Sequence, residues 1–84
     1  MIYYVFTVRD EKAEAFLTPF YLPTEALAKR AMVDCVNDSN HGFNKHPEDY
    51  SLWALGSFDD MSGKHEILDN PKHVFNLVDL VEAE

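Results

Sequence analysis

The side chains in this chain that could do chemistry are scattered along it. Four histidines, His41, His46, His65 and His73, could ligate a metal, but they come from separate segments, and Cys35 is the only cysteine. No tight ligand-spacing signature appears, and solvated loop histidines are the simpler reading. Asp59 and Asp60, with Glu66 nearby, could form an acid/base pair or hold a cation. Adjacent aspartates before Ser62-Gly63 also have the chemistry of a turn, where carboxylates accept from local backbone N–H groups, and that reading is preferred. Glu48-Asp49 after Pro47 reads as the lead-in to a strand. Cys35 with a histidine could act as a nucleophile, yet it falls on the inner stripe of an amphipathic helix, the usual place of a small core residue. The chain has no phosphate-cradling glycine loop and no Gly-x-Ser-x-Gly elbow. These residues indicate no catalytic group, no metal and no cofactor, and an enzyme is not expected.

A second constellation is aromatic. Tyr3, Tyr4, Phe6, Phe16, Phe20, Tyr21 and Trp53 could stack the bases of single-stranded nucleic acid, with Arg9, Lys12, Lys29 and Arg30 as the first candidates for phosphate contact and Lys45 and Lys64 beside them. Packing in a core or an interface explains the same aromatics. The two readings separate on whether several of these rings lie exposed on one sheet face next to the basic residues. Charge weighs against DNA: fifteen acidic and seven basic residues give a formal net charge of −8, which repels a phosphate backbone. Any nucleic-acid role then needs a local patch or a protein intermediary.

The elements that must position these groups follow from the pattern. Residues 2 to 8 alternate Ile2, Tyr4, Phe6 and Val8 against Tyr3, Val5 and Thr7, so both faces of a first strand are apolar and the strand is interior. After a charged turn, Ala15 to Tyr21 resumes an extended pattern, and Pro19, which cannot donate to a ladder, puts that strand at an edge or ends it there. Pro23-Thr24-Glu25 opens a helix with Thr24 as N-cap and a Glu25 to Lys29 pair one turn on. Its apolar stripe is Leu27, Ala28, Ala31, Met32 and Cys35, with Val36 at the margin and Val33 off it, a small hint of a partner surface. Asn37 to Gly42 tolerates left-handed geometry and ends the helix, and a long loop runs on to Pro47.

Tyr50 to Phe58 reads as the central strand, with Tyr50, Leu52, Ala54, Gly56 and Phe58 on one parity and Trp53 and Leu55 on the other. Asp59 to Gly63 turns it into a hairpin with Lys64 to Leu68. Asp69-Asn70-Pro71 could cap a helical turn, and residues 71–82 fit either a short helix or a last strand. The sum is an α+β domain, residues 1–84, with a mostly antiparallel sheet of about four strands, one covering helix and a short C-terminal element. One helix covers one face. Tyr3, Val5, Trp53 and Leu55 on the other face are therefore candidate partner or dimer residues, unless the tail folds over them.

With 46% hydrophobic residues, wholesale disorder is excluded, and one cysteine rules out an internal disulfide and suits a reducing cytosol. The first apolar run is too short for a signal or a membrane span, so a water-soluble protein with no membrane partner is expected. A domain of this size is marginally stable alone, which favours a homodimer.

Pro47-Glu48-Asp49-Tyr50-Ser51-Leu52, then Leu55-Gly56-Ser57-Phe58-Asp59-Asp60 and Ser62-Gly63, carry a resemblance. With Thr18-Pro19-Phe20, Ala28 to Arg30 and Val36-Asn37-Asp38, the chain through about Gly63 resembles the small non-structural proteins of gokushovirus-type phages, the single-stranded DNA microviruses (Microviridae). That resemblance implies a phage accessory protein in the cytoplasm of the bacterial host, acting in genome replication or in the switch to single-strand synthesis and packaging, with replication or packaging proteins as partners. It also implies possible DNA binding and supplies no catalytic residue. The first function expected is contact with phage replication or packaging proteins; the alternatives are direct binding of single-stranded DNA and inhibition of a host nucleic-acid enzyme by an acidic surface.

Overall fold

In the computed structural model, which describes residues 1–82, the first apolar run forms the strand β1, Ile2–Asp10. Asp10 then turns the chain: its Oδ1 accepts from the backbone N–H groups of Lys12 and Ala13. Glu14 leaves this turn in the left-handed region, with φ 54°. The aromatic segment that follows is split. β2, Ala15–Phe16, and β3, Phe20–Leu22, both pair antiparallel with β1, and Leu17 to Pro19 lie between them. Proline has no N–H to give a ladder, so the break falls where Pro19 puts it, on an edge.

The helix α1, Glu25–Val36, is capped as its sequence demands, with the Leu27 N–H donating to Thr24 Oγ1 at 3.1 Å. Its buried residues are Ala28, Met32 and Val36, while Leu27 is 44% exposed and Val33 packs against the core. The buried stripe is thus rotated from the expected one. The cause is the tail, whose 3-10 turn Leu77–Leu80 packs beside α1 and widens the buried arc near its C-terminal end. The helix does not end in a left-handed residue: Asn37 has φ −99°, and its side chain does the capping. Asn37 Nδ2 donates to the Val33 and Leu80 carbonyls, and Asn37 Oδ1 accepts from the Glu82 N–H, so one amide closes the helix and ties down the tail.

The long loop contains a short helix, α2, Gly42–Lys45, and a 3-10 turn at Pro47–Asp49. β4, Tyr50–Asp59, and β5, Lys64–Asn76, complete a five-stranded antiparallel sheet in the order β2-β1-β4-β5, with β3 continuing the β2 edge of β1. β3 and β4 flank β1 and are joined through α1, so the helix crosses one face. Phe6, Val8 and Leu52 of the sheet, Ala28, Met32 and Val36 of α1, and Leu77 and Leu80 of the tail form the core. The tail is a strand through Asn76 and then a 3-10 turn, and it covers the face that α1 covers. Asp69-Asn70-Pro71 caps no helix, because these residues lie within β5.

One irregularity decides which side chains share a face. β1 pairs Phe6 with Ala54 but Val5 with Gly56, so Leu55 is an extra residue in β4, a β-bulge. Tyr50, Leu52 and Ala54 therefore keep the expected face, whereas Phe58 is switched to the other one. Gly56 is required at this point: a Cβ there would stand 2.1 Å from the Glu66 carbonyl oxygen and 2.8 Å from the Ile67 Cα. The far ends of β4 and β5 reach past α1, with residues 60–70 all exposed. The radius of gyration, 13.3 Å, exceeds the ~12 Å of a rounded chain this long accordingly.

Candidate functional site

The face turned away from α1 carries two rows of rings. β1 sets Tyr3 beside Phe58 and Thr7 beside Trp53, and β5 adds His65 beside Phe58 and His73 beside Trp53. Cross-strand partners share a face, so these six lie together. In the first row, Tyr21 of β3 meets Phe58 edge to face at 5.7 Å, and the His65 ring lies 4.7 Å from that of Phe58. The Tyr21 hydroxyl is hydrogen-bonded to His65 Nε2 at 2.9 Å. With Tyr3 these side chains line a shallow depression of about 340 Å³. In the second row, Trp53 takes Phe16 on one side at 5.8 Å and His73 on the other at 5.3 Å, both interplanar angles being 86°. Tyr3 and Thr7 are four residues apart on β1, which separates the rows by ~13 Å.

The second row is locked by polar contacts at its rim. Trp53 Nε1 donates to Ser51 Oγ at 2.8 Å, Ser51 Oγ donates to Glu11 Oε1 at 2.9 Å, and Arg9 Nε donates to Glu11 Oε2 at 3.2 Å. The Arg9 guanidinium stands over the Phe16 ring, 5.1 Å from its centre. Beneath the rings, Val5 and Thr7 are buried although no helix among the described residues covers them, and Thr7 Oγ1 donates to the Leu17 carbonyl. The rings are the roof of that face. Phe16 and Tyr21 nevertheless stay 41% and 45% exposed.

The four candidate partner residues divide accordingly. Tyr3 and Trp53 belong to the two rows, Val5 is floor at 3% exposure, and Leu55 is the bulge residue. The four candidate phosphate contacts do not form one patch. Arg9 is on the ring face and Lys12 in the turn at its end, whereas Lys29 and Arg30 sit on α1, across the sheet, with Lys29 Nζ 5.3 Å from the Phe75 ring. The acid is divided too. Glu66 lies opposite Ser57, which pairs with Tyr4, and Asp59 lies opposite Ile2, so both fall on the α1 side. Glu11 is the carboxylate bonded against the ring face, and Arg9 and Ser51 occupy it. Sequence reasoning left out Phe58, His65 and His73. A hairpin looped at Asp60 to Gly63 signals Phe58 opposite His65, although the face they share depends on the Leu55 bulge; for His73 there is no signal, because the β4–β5 register shifts between Gly56 and Ala54.

His41 Nδ1 accepts from the Phe43 N–H and caps α2. His46, Glu48 and Asp49 bring possible ligand atoms within 4.8 Å of one another at the open end of the 3-10 turn, with His46 Nδ1 3.6 Å from Glu48 Oε1 and both side chains largely in solvent. Burial raises the Cys35 thiol above its ordinary range, helped by Asp34 and Asp38, which disfavours the nucleophilic thiolate. On the α1 side, where the helix stops short, a groove of about 790 Å³ runs between Tyr4, Thr24, Ser57, Ile67, Leu68 and Lys72.

Residues 3–80, nearly the whole chain, match the family described as Phage ORF5 protein. The chain belongs to the Phage ORF5 protein family. Comparison with curated proteins and with solved structures gives no match. The family match spans β1 through the Leu77–Leu80 turn and so includes both rows of rings. Among the described residues, no helix of this phage protein is long and apolar enough to cross a membrane.

Proposed function

We propose that this phage protein is a non-catalytic accessory factor that acts in the cytoplasm of the infected bacterium, in genome replication or in the change to single-strand synthesis and packaging. Its ligand is single-stranded DNA, bound by stacking of bases on the ring face. The observation that carries this reading is the pair of aromatic rows on the uncovered face, held by their edges and roofing a buried floor. Base–aromatic stacking contributes about 1–3 kcal/mol per base and tolerates any sequence. The resemblance to the small non-structural proteins of single-stranded DNA microviruses supports the same class of ligand.

The charge arrangement makes the binding unusual. With Arg9 on the face and Lys12 in the turn at its end, about one or two phosphates are neutralised, so log affinity falls against log salt with a slope of about −1.4 or shallower. Stacking then carries most of the affinity, and a chain of net charge −8 can still bind. Trp53, the only tryptophan, reports the event directly. Titrating with an oligothymidylate at low ionic strength is expected to quench its emission, with that shallow salt dependence. The net charge favours one other reading, in which the same face takes a basic segment of a phage replication or packaging protein. Failure of any single strand to bind at low salt, together with capture of such a protein, selects it.

A further inference from the structure

The two edges of the sheet are not alike. One is broken into β2 and β3 around Pro19, a common way of blunting an edge, while the other is the 13-residue β5, whose outer side pairs with nothing among the described residues. Its N-terminal half is fully accessible: every residue from Lys64 to Lys72 is exposed, with Ile67 at 61% and Leu68 at 46%. Leu68 to Pro71 have no register partner on β4, which pairs Gly56 with Ile67 and Ala54 with Lys72, so the β4–β5 ladder is irregular there. We infer that this edge is the contact with a second copy of the chain, pairing β5 antiparallel to its symmetry mate around a two-fold axis at Ile67.

The register follows from the limits of the segment. It starts after Gly63, which takes φ +73° in the hairpin turn, and stops at Pro71, which has no N–H to donate. The midpoint of Gly63 and Pro71 is Ile67, so a self-paired segment overlaps most when Ile67 faces Ile67 of the partner subunit. A two-fold normal to the sheet pairs residues of the same face, which sets His65 against the partner's Asp69, Glu66 against the partner's Leu68 and Lys64 against the partner's Asn70. No like charges stand opposite one another in this register, and two opposed His–Asp pairs arise by symmetry. The neighbouring centres are worse. An axis at Glu66 puts two carboxylates face to face, one at His65 puts two imidazoles together and Ile67 against the turn glycine, and one at Leu68 shortens the overlap within the segment.

The consequence is a sheet continuous across the axis, with the Tyr21, Phe58 and His65 row of one copy running toward that of the other. The inference is independent of what the ring face binds. It is tested on the full-length protein carrying Cys35→Ser, with Ile67→Cys added. A residue opposite its own copy in an antiparallel pair has its Cα atoms ~4.5–5.5 Å apart, within disulfide range. Mild oxidation is expected to give a covalent dimer in high yield, while Met61→Cys, on the exposed turn, gives little. Sedimentation of the unmodified chain should return twice the 9.7 kDa chain mass at micromolar concentration, and Ile67→Lys, at a site too exposed to endanger folding, should return the chain mass. The inference is overturned by a monomer at 100 μM in the unmodified chain, or by a dimer that Ile67→Cys does not cross-link.

Discussion

The two faces of this sheet use similar residues for different ends. Under α1, Phe6, Val8 and Leu52 are buried by a helix and a tail that pack onto them. On the opposite face, Val5 and Thr7 are buried just as deeply by rings of the sheet itself. The first arrangement needs a second layer; the second supplies its own roof and leaves the roof exposed. A row of aromatic side chains that seals its own floor is pre-ordered for stacking, because little rotamer freedom remains to be lost on binding. The faces differ in charge as well. Glu66 and Asp59 fall on the α1 side, as do Lys64 opposite Asp59 and Lys72 opposite Ala54, and the ring face keeps one arginine with its own carboxylate partner.

If the faces divide labour in this way, substitutions under α1 should cost stability and those among the rings should cost binding. Leu52→Ala, at a fully buried site, is expected to destabilise by about 3–4 kcal/mol, which urea unfolding would register as a large fall in midpoint. Gly56→Ala forces β5 away from the bulge and should cost about 3 kcal/mol by the same measurement. Because Gly56 belongs to the bulge that aims Phe58, any folded population should also bind DNA more weakly. Phe58→Ala should leave the fold in place and weaken oligothymidylate binding by about 1–3 kcal/mol, roughly 5- to 150-fold. Thr24→Ala removes the helix cap and is expected to cost about 1 kcal/mol of stability with DNA affinity unchanged. The smallest effect belongs to Lys29→Ala, which should alter affinity less than Arg9→Ala does, since Lys29 lies across the sheet.

Much of this architecture is legible in the chain. Thr24 announces the helix, Asp59 to Gly63 announce the hairpin, Pro19 announces the broken edge, and the doubly apolar β1 announces an interior strand. The bulge at Leu55 is not legible, because Trp53-Ala54-Leu55 is apolar on both parities and alternation carries no mark of an inserted residue. That one residue moves Phe58 from core to site. Val33 is misplaced for a related reason: its burial depends on the tail, a contact distant in sequence. Trp53 and Tyr3 can be picked out as surplus to the core from alternation alone. The separation of Lys29 and Arg30 from Arg9 depends on which face α1 crosses, and no local pattern encodes that.

The division between the faces is tested most directly by following backbone amide and Trp53 indole resonances of the ¹⁵N-labelled protein during titration with oligothymidylate at low salt. Expected is a set of shifts concentrated at Tyr3, Phe16, Tyr21, Trp53, Phe58, His65 and His73, with the amides of α1 still. Shifts centred on Lys29 and Arg30 of α1, or none at saturating oligonucleotide, would contradict the assignment of the ring face as the binding surface.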